Sequence, residues 1–154
     1  MKIYLDTCCY CRPFDSARST QAQVETEAIL IENAIELCKI VGIIIVGSVP
    51  LTIEFKRIRD NEKRENVIAF YQSAVNERIK LSTDIQTHAQ KLIAQDIKKF
   101  DAFHIALAEA AGANYLLTVD DKLERAAAKL SLNVKIINPL NFLPEVVKWA
   151  QTSM

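Results

Sequence analysis

Glycine is scarce in this sequence, which has only Gly42, Gly47 and Gly112 among 154 residues. The glycine-rich loops that cradle phosphates, such as G-x-G-x-x-G and the P-loop, need glycines at short, fixed spacings together with their other motif residues. The three glycines here form neither pattern. The sequence therefore excludes a standard nucleotide-binding loop.

Net charge and long apolar runs are also lacking. The chain has 19 basic and 19 acidic side chains, so it has no overall positive field to attract nucleic acid. A nucleic-acid partner would need local positive charge or bound cations. No apolar run approaches the ~20 residues of a membrane span, and the first residues are too short and too acidic for a secretory signal. We expect no membrane association and a cytoplasmic location, where cysteines stay reduced.

Histidine and cysteine are too few or poorly spaced for the usual sites. His88 and His104 are the only histidines and lack an i, i+4 partner, which argues against a histidine metal site. No G-x-S-x-G motif or Ser–His–Asp order is present. Cys8 and Cys11 form a C-x-x-C, which leaves a redox motif open as a minor alternative. A zinc ribbon would need a second pair, and only Cys38 is well separated. We interpret the cysteines as small apolar fillers.

Hydrophobic periodicity predicts strands that alternate with helices along the whole chain. The predicted strands cover residues 2–5, 43–46, 79–81, 115–119 and 134–137. The predicted helices cover 20–40, a segment from Pro50 through Ile58, 64–78, a segment capped by Thr83 or Asp84, 100–111, 122–130 and a segment after Pro139. This alternation favours a three-layer α/β/α sandwich around a parallel sheet, in a single domain over residues 1–154.

Four acidic residues are predicted to meet at one edge of that sheet. Asp6 follows the first predicted strand, and Asp120 follows the strand at 115–119. Glu54 and Asp101 lie in the first turns of helices that must begin at the same edge, where parallel α/β sheets bind ligands. Each acid by itself is explained by helix capping or turn formation. The four together predict a functional site.

Such a cluster of carboxylates favours a bound divalent cation. Like charges in one pocket repel each other and raise one another's pKa unless a cation lies among them. An all-oxygen ligand set suits Mg²⁺ or Mn²⁺ better than zinc or copper. A carboxylate-held ion of this kind activates water and polarises phosphodiesters. The predicted chemistry is therefore metal-assisted phosphodiester hydrolysis, with water as the nucleophile.

The neighbourhoods of these acids resemble the PIN domain family, a nuclease fold that includes the VapC-type toxins of toxin–antitoxin systems. "IYLDT" resembles the first motif and contains Asp6, and "SVPLTIEF" supplies Glu54 as the second acid. "FDAFHIALAEAAGANYLLTVDDKL" resembles the third and fourth motifs, with Asp101 and Asp120 as acids and Thr118 as the hydroxyl residue. The resemblance follows the element order of nearly the whole chain.

The resemblance implies a five-stranded parallel sheet, a Mg²⁺- or Mn²⁺-dependent ribonuclease activity, often a homodimer, and a small antitoxin protein as partner. It implies that the metal ligands are Asp6, Asp101 and Asp120, and that Glu54 completes the catalytic set. Thr7 and Thr118 are the supporting residues. Cys8 departs from the family, in which many members have Asn or Ser two residues after the first acid. Asp121 is either an extra ligand or, as we favour, the N-cap of the next helix.

Basic residues near the acids are candidates for contact with the RNA backbone. Arg57 belongs to a cluster just beyond Glu54, which is interrupted by acids and is therefore more typical of a solvated helix face than of a phosphate-binding surface. Arg12 is a second candidate. His104, one turn after Asp101, is predicted either to reach the rim and touch a phosphate or to be an ordinary half-buried helix residue.

Other functions remain open from the sequence. A phosphatase that forms an acyl phosphate on a strand-end aspartate needs a second aspartate two residues later, where this chain has Cys8. A non-catalytic module that binds RNA or a protein partner fits the same sequence and remains the alternative to a nuclease.

Overall fold

A computed structural model describes residues 1–153 of the chain. It contains a five-stranded, all-parallel sheet with strand order β3-β2-β1-β4-β5. The strands are β1 (Lys2–Leu5), β2 (Ile44–Ser48), β3 (Glu77–Ile79), β4 (Tyr115–Leu117) and β5 (Lys135–Ile137). The α/β fold with a mainly five-stranded parallel sheet, predicted from the sequence, is confirmed.

Eight α-helices accompany the strands within residues 1–153. They are α1 (Thr7–Cys11), α2 (Ala22–Val41), α3 (Val49–Lys56), α4 (Asn61–Ala74), α5 (Thr83–Ile93), α6 (Lys99–Ala110), α7 (Asp121–Ala128) and α8 (Pro139–Ser153). Two 3₁₀ turns, Arg12–Phe14 and Ser16–Ser19, join α1 to α2. None of the helices in this part of the chain combines the length and the apolar character that crossing a membrane requires.

The buried core forms around the central strand. Ile3, Tyr4 and Leu5 of β1 are fully buried, as expected for a strand covered by helices on both faces. One continuous cluster of buried apolar side chains extends from Ile3 to Val146. Because β1 lies between β2 and β4, the residue that follows it emerges at the middle of the sheet edge. That the chain is a single domain stays a prediction.

Several local boundaries differ from the predicted ones by a few residues, and three of these differences lie between α4 and α5. Helix α4 ends at Ala74 rather than at residue 78, because Asn76 pairs with β2: its side-chain Oδ1 accepts from Ile45 N at 2.8 Å, and its backbone N–H donates to Ile45 O. β3 accordingly occupies 77–79 instead of 79–81. The N-cap of α5 is Ser82, whose Oγ accepts from Ile85 N, and not Thr83 or Asp84.

Helix α1 was not predicted from the sequence. It begins directly after β1, with Asp6 as its N-cap, and it contains Cys8 and Cys11 in regular helical backbone. Five residues are too few to show apolar periodicity, so only the tertiary structure reveals this turn of helix. It packs against α2, α3 and α4 directly after the carboxyl end of β1.

Candidate active site

Asp6 occupies the centre of the sheet edge. Its backbone N–H donates to Leu117 O of β4 at 3.1 Å, and its Oδ1 accepts from Cys9 N at 3.2 Å. The Cys8 thiol also donates to Oδ1, with Sγ 2.8 Å away. The residue is only 4% exposed. Burial raises the pKa of the Asp6 carboxyl, although hydrogen bonds from Cys8 and Thr118 act in the opposite direction.

Asp120 follows β4 and begins α7. Its Oδ1 accepts from Lys122 N at 2.9 Å and from Leu123 N at 3.2 Å, so that Asp120 is the N-cap of the helix. The buried Thr118 hydroxyl accepts from Asp120 N at 3.0 Å and fixes the turn between strand and helix. The prediction that Asp121 is the N-cap is therefore wrong: Asp121 is the first helical residue and is exposed.

Asp101 lies in the first turn of α6 and is partly buried. Its pKa is raised to about 6, chiefly by burial and also by the neighbouring charges of Asp6, Asp120 and Glu54, against the opposing effect of His104. The four carboxylates, which come from separate elements, therefore interact electrostatically. Such crowding of anions is what the sequence predicted for this edge.

Glu54 projects from α3 and is held by two donors at one oxygen. Thr7 Oγ1 donates to Oε1 at 2.5 Å, and His104 Nε2 lies 2.5 Å from the same oxygen. Burial by itself would raise the pKa of Glu54, but these hydrogen bonds outweigh it and the pKa is lowered. Glu54 is thus kept ionised, whereas burial and the neighbouring acids make Asp101 easier to protonate.

The acids share a single cleft of about 220 Å³. Its lining consists of Asp6, Thr7, Cys8, Glu54, Asp101, His104 and Asp120. A smaller adjoining pocket of about 140 Å³ also includes Asp101 and Asp120 and adds Lys98 and Lys122. A larger cavity of about 400 Å³ lies between α7 and β5, but its lining is mainly apolar and contains one carboxylate, Glu124. Titratable groups with shifted pKa values mark the first cleft as the candidate active site.

The profile of the PIN domain family matches residues 3–129. The chain belongs to the PIN domain family. No curated protein matches the chain at a significant level of sequence similarity.

Solved structures with the same PIN fold include toxin–antitoxin proteins. VapBC2 from Rickettsia felis, bound to a DNA fragment from its promoter, has a TM-score of 0.61 at 16% identity, covering 90% of this chain and 98% of that one. VapC20 from Mycobacterium tuberculosis, a toxin that cleaves the sarcin–ricin loop, has a TM-score of 0.59 at 14% identity, covering 86% and 98%. VapBC-1 from nontypeable Haemophilus influenzae has a TM-score of 0.56 at 17% identity, covering 91% and 99%. At these identities the similarity establishes the fold.

The donor atoms of this PIN domain fit a hard divalent cation. Within residues 1–153, the potential ligand atoms of Asp6, Cys8 and Cys9 all lie within 4.8 Å of one another. Both thiols are protonated donors: Cys8 donates to Asp6, and Cys9 donates to Leu117 O at 3.3 Å. Burial raises the pKa of Cys9, and that of Cys8 is raised as well, which argues against a zinc thiolate site. The four acids of the cleft supply carboxylate oxygens, the ligands that Mg²⁺ and Mn²⁺ prefer.

The predicted RNA-contact residues have different surroundings. Arg57 is exposed, and its guanidinium carbon lies 5.0 Å from the centroid of the Phe100 ring, near Glu54. Arg12 is held by acids, with one guanidinium nitrogen 3.0 Å from Asp15 Oδ2 and Nε 3.3 Å from Glu27 Oε1. Arg57 is therefore better placed than Arg12 to meet a substrate phosphate.

His104 differs most from its predicted surroundings. The side chain is 1% exposed, and its two nitrogens face Glu54 and Tyr4 rather than solvent. The sequence predicted that His104 is either half-buried or in direct contact with a phosphate, and this geometry agrees with neither prediction. Tyr4 itself was not among the predicted site residues. The available signal was its strand position two residues before Asp6, which places both side chains on the same face of β1.

Proposed function

We propose that this PIN domain is a Mg²⁺- or Mn²⁺-dependent endoribonuclease that hydrolyses RNA phosphodiester bonds with water as the nucleophile. The observation that supports this most strongly is the meeting of Asp6, Glu54, Asp101 and Asp120 in one cleft. These acids are far apart in the sequence and come from different elements. Capping alone accounts for Asp6 and Asp120 but not for Asp101 or Glu54, whose carboxylates make no cap.

In this proposal Asp6, Asp101 and Asp120 hold the cation. When bound, Mg²⁺ or Mn²⁺ would polarise the phosphodiester, increase the acidity of water and stabilise the leaving oxygen. The protein residues provide a rigid frame for it: Asp6 is fixed by Cys8 and Cys9, and Asp120 is fixed at the start of α7. Thr118 supports Asp120 from β4, and the exposed Asp121 remains a possible outer ligand.

Glu54 is suited to orient the attacking water. Its lowered pKa keeps it ionised, so it accepts a hydrogen bond or a proton and does not donate one. Thr7 and His104 both engage Oε1. The hydrogen bonds found within residues 1–153 leave Oε2 without a partner, and this oxygen is the one we assign to water.

We propose that the basic residues around the cleft bind the RNA backbone. Arg57 lies beside Glu54, and Lys98 and Lys122 line the pocket that adjoins Asp101 and Asp120. With no net charge on the chain, these local cations would supply the attraction that global charge does not. Arg12 remains a candidate whose contact would require release from Asp15 or Glu27.

We further propose that this chain is a toxin that acts in the cytoplasm as a homodimer and is inhibited by an antitoxin. VapBC pairs from two bacteria share the fold, and this similarity is the support for a small protein partner. A short open reading frame beside the gene, whose product binds this chain and blocks cleavage, is the expected finding. Light scattering of the purified chain tests the homodimer separately.

The decisive experiment follows cleavage of end-labelled RNA by the purified chain. We expect cleavage with Mn²⁺ or Mg²⁺, none with excess EDTA, and none with Asp6→Asn or Asp101→Asn. Asp84→Asn, which removes an exposed acid at the start of α5, is the matched control and should cut at the wild-type rate. Full activity of Asp6→Asn with Mn²⁺ would refute the proposal. Metal-independent RNA binding without cleavage would favour the non-catalytic module.

A further inference from the structure

A buried histidine lies behind the candidate active site, with both ring nitrogens occupied. His104 Nε2 is 2.5 Å from Glu54 Oε1, and Nδ1 is 2.6 Å from the Tyr4 hydroxyl. The Tyr4 hydroxyl is in turn 2.6 Å from Ser48 Oγ, and all three residues behind Glu54 are almost completely buried. Burying a polar group costs free energy unless the group is hydrogen-bonded. Each member of this row therefore depends on its neighbour for a hydrogen-bond partner.

One assignment of protons satisfies every donor in the row. An ionised Glu54 only accepts, so His104 must carry a proton on Nε2 and donate it. Every donor then finds an acceptor when Ser48 donates to Tyr4, Tyr4 donates to Nδ1 and Nε2 donates to Glu54. The four residues belong to β2, β1, α6 and α3. The row therefore connects the centre of the sheet to one oxygen of the carboxylate at the cleft.

We infer that His104 is a positioning residue: with Tyr4 behind it, it fixes the orientation of Glu54 so that the free oxygen meets the attacking water. The predicted effect on catalysis rests on the proposed nuclease function, whereas the contacts between His104 and Glu54 do not. Thr7 donates to the same Glu54 oxygen from α1, which supplies a second fixed point. A carboxylate held at one oxygen by two donors from two different helices has little freedom to rotate.

A second histidine–glutamate pair in the chain provides a matched comparison. His88 Nε2 lies 2.7 Å from Glu109 Oε1, with the His88 side chain 42% exposed. Glu109 also accepts from Asn133 N at 2.7 Å, and neither His88 nor Glu109 lines the cleft. This pair has the same chemistry without an active site, so its removal should not affect catalysis.

Kinetics of the purified chain with RNA and Mn²⁺ test the consequence. We expect His104→Leu to lower kcat about 10–100-fold with little change in KM, the usual cost of losing the partner that orients an active-site carboxylate. His104→Gln places an amide N–H near the position of Nε2 and should recover most of the loss. Tyr4→Phe, which removes the hydroxyl between Ser48 and His104 but keeps the contact of His104 with Glu54, should have a smaller effect in the same direction. His88→Gln should match the wild type.

Thermal denaturation and NMR distinguish a positioning role of His104 from a purely structural contribution to the stability of the fold. Each variant should be folded at the assay temperature, and Tyr4→Phe and His104→Gln keep the test valid if His104→Leu is unfolded. In ¹⁵N-histidine-labelled protein, the two histidines are assigned with His88→Gln. We expect a slowly exchanging Nε2 proton on His104 that shifts strongly in Glu54→Gln and little in Asp84→Asn.

Two results would overturn the inference: unchanged kcat in folded His104→Leu, or a His104 Nε2 proton that does not respond to Glu54→Gln. A wild-type chain that leaves RNA intact under all metal conditions would refute the nuclease proposal instead. In that case the NMR signal still decides whether His104 holds Glu54.

Discussion

The Cys8 thiol donates a hydrogen bond to the Asp6 carboxylate, with Sγ 2.8 Å from Oδ1. Cys8 Sγ is also 3.5 Å from Thr118 Oγ1, so the side chain bridges the ends of β1 and β4. Cys8 stands where the resemblance to the PIN family leads one to expect Asn or Ser. The residue that departs from the family pattern thus contacts both Asp6 and Thr118 at the cleft.

Cys8→Ala should therefore weaken metal binding more at low pH than at high pH. The Cys8 hydrogen bond lowers the pKa of Asp6, which burial has raised, so its loss raises that pKa further. Protons then compete with Mn²⁺ to a higher pH. Calorimetric Mn²⁺ titrations from pH 5.5 to 8 should show the affinity curve of Cys8→Ala displaced to higher pH, and that of Cys8→Ser close to wild type. Coincident curves for the alanine variant and the wild type would contradict this role.

Asp101→Asn should stabilise the metal-free protein at pH 8. The folded-state pKa of about 6 exceeds the ordinary value of 3.8, so the folded protein binds this proton more tightly than the unfolded chain does. Stability from this group is present at low pH and is lost as pH rises through about 6. After discounting for solvent screening, we expect a gain of ~1–2 kcal/mol at pH 8.

Urea denaturation in EDTA at pH 4.5 and at pH 8 measures this difference. The difference between Asp101→Asn and the wild type in the free energy of unfolding should be clearly smaller at pH 4.5 than at pH 8. Glu65→Gln, which removes an exposed negative charge on α4, should show no such pH-dependent gain. A destabilised Asp101→Asn at pH 8 would indicate that Asp101 has an attractive partner in the folded protein.

Gly47→Ala should destabilise the fold. A Cβ at this strand position would lie 2.3 Å from the Tyr71 hydroxyl and 2.8 Å from Cζ of the same ring. Tyr71 cannot easily move, because it packs edge-on against Tyr10 and Phe55 in the core. Overpacking of this kind costs about 1–3 kcal/mol. The cost should be smaller when the substitution is made in a Tyr71→Phe background, and equal costs in both backgrounds would exclude the hydroxyl as its source.

Arg57→Ala should weaken RNA binding with a smaller effect on kcat. The guanidinium stacks on Phe100 beside the cleft, where a backbone phosphate would pass. Loss of one phosphate contact should raise KM and reduce the slope of log affinity against log salt by about one. Arg125→Ala removes an exposed arginine of α7 away from the cleft lining and serves as the control. Equal effects of the two substitutions would show that only general charge matters.

The sequence was sufficient to predict the order of the strands and the longer helices, and the meeting of the four acids in one cleft. Continuous β-branched runs and helical spacing are local signals, and they identified all five strands to within a few residues. The direction of parallel strands then requires Asp6 and Asp120 to leave the sheet at the same edge. The assignment of these acids as metal ligands stays a prediction.

Other details depend on contacts between distant segments and were not accessible from local pattern. Which aspartate caps α7 depends on the backbone angles at the end of β4, and neighbouring Asp120 and Asp121 look alike in sequence. Whether an arginine is available for RNA depends on acids elsewhere, as the pairing of Arg12 with Glu27 shows.

Hydrophobic periodicity and chain direction are properties of one strand or helix at a time. They were enough to predict the architecture and the position of the acids at a common edge of the sheet. The tertiary structure alone decided that His104 is turned inward, between Tyr4 of the central strand and Glu54 of a separate helix. The reason is physical: a side chain at one helical position has several possible neighbours, and only the packing of α3 and α6 against β1 selects among them.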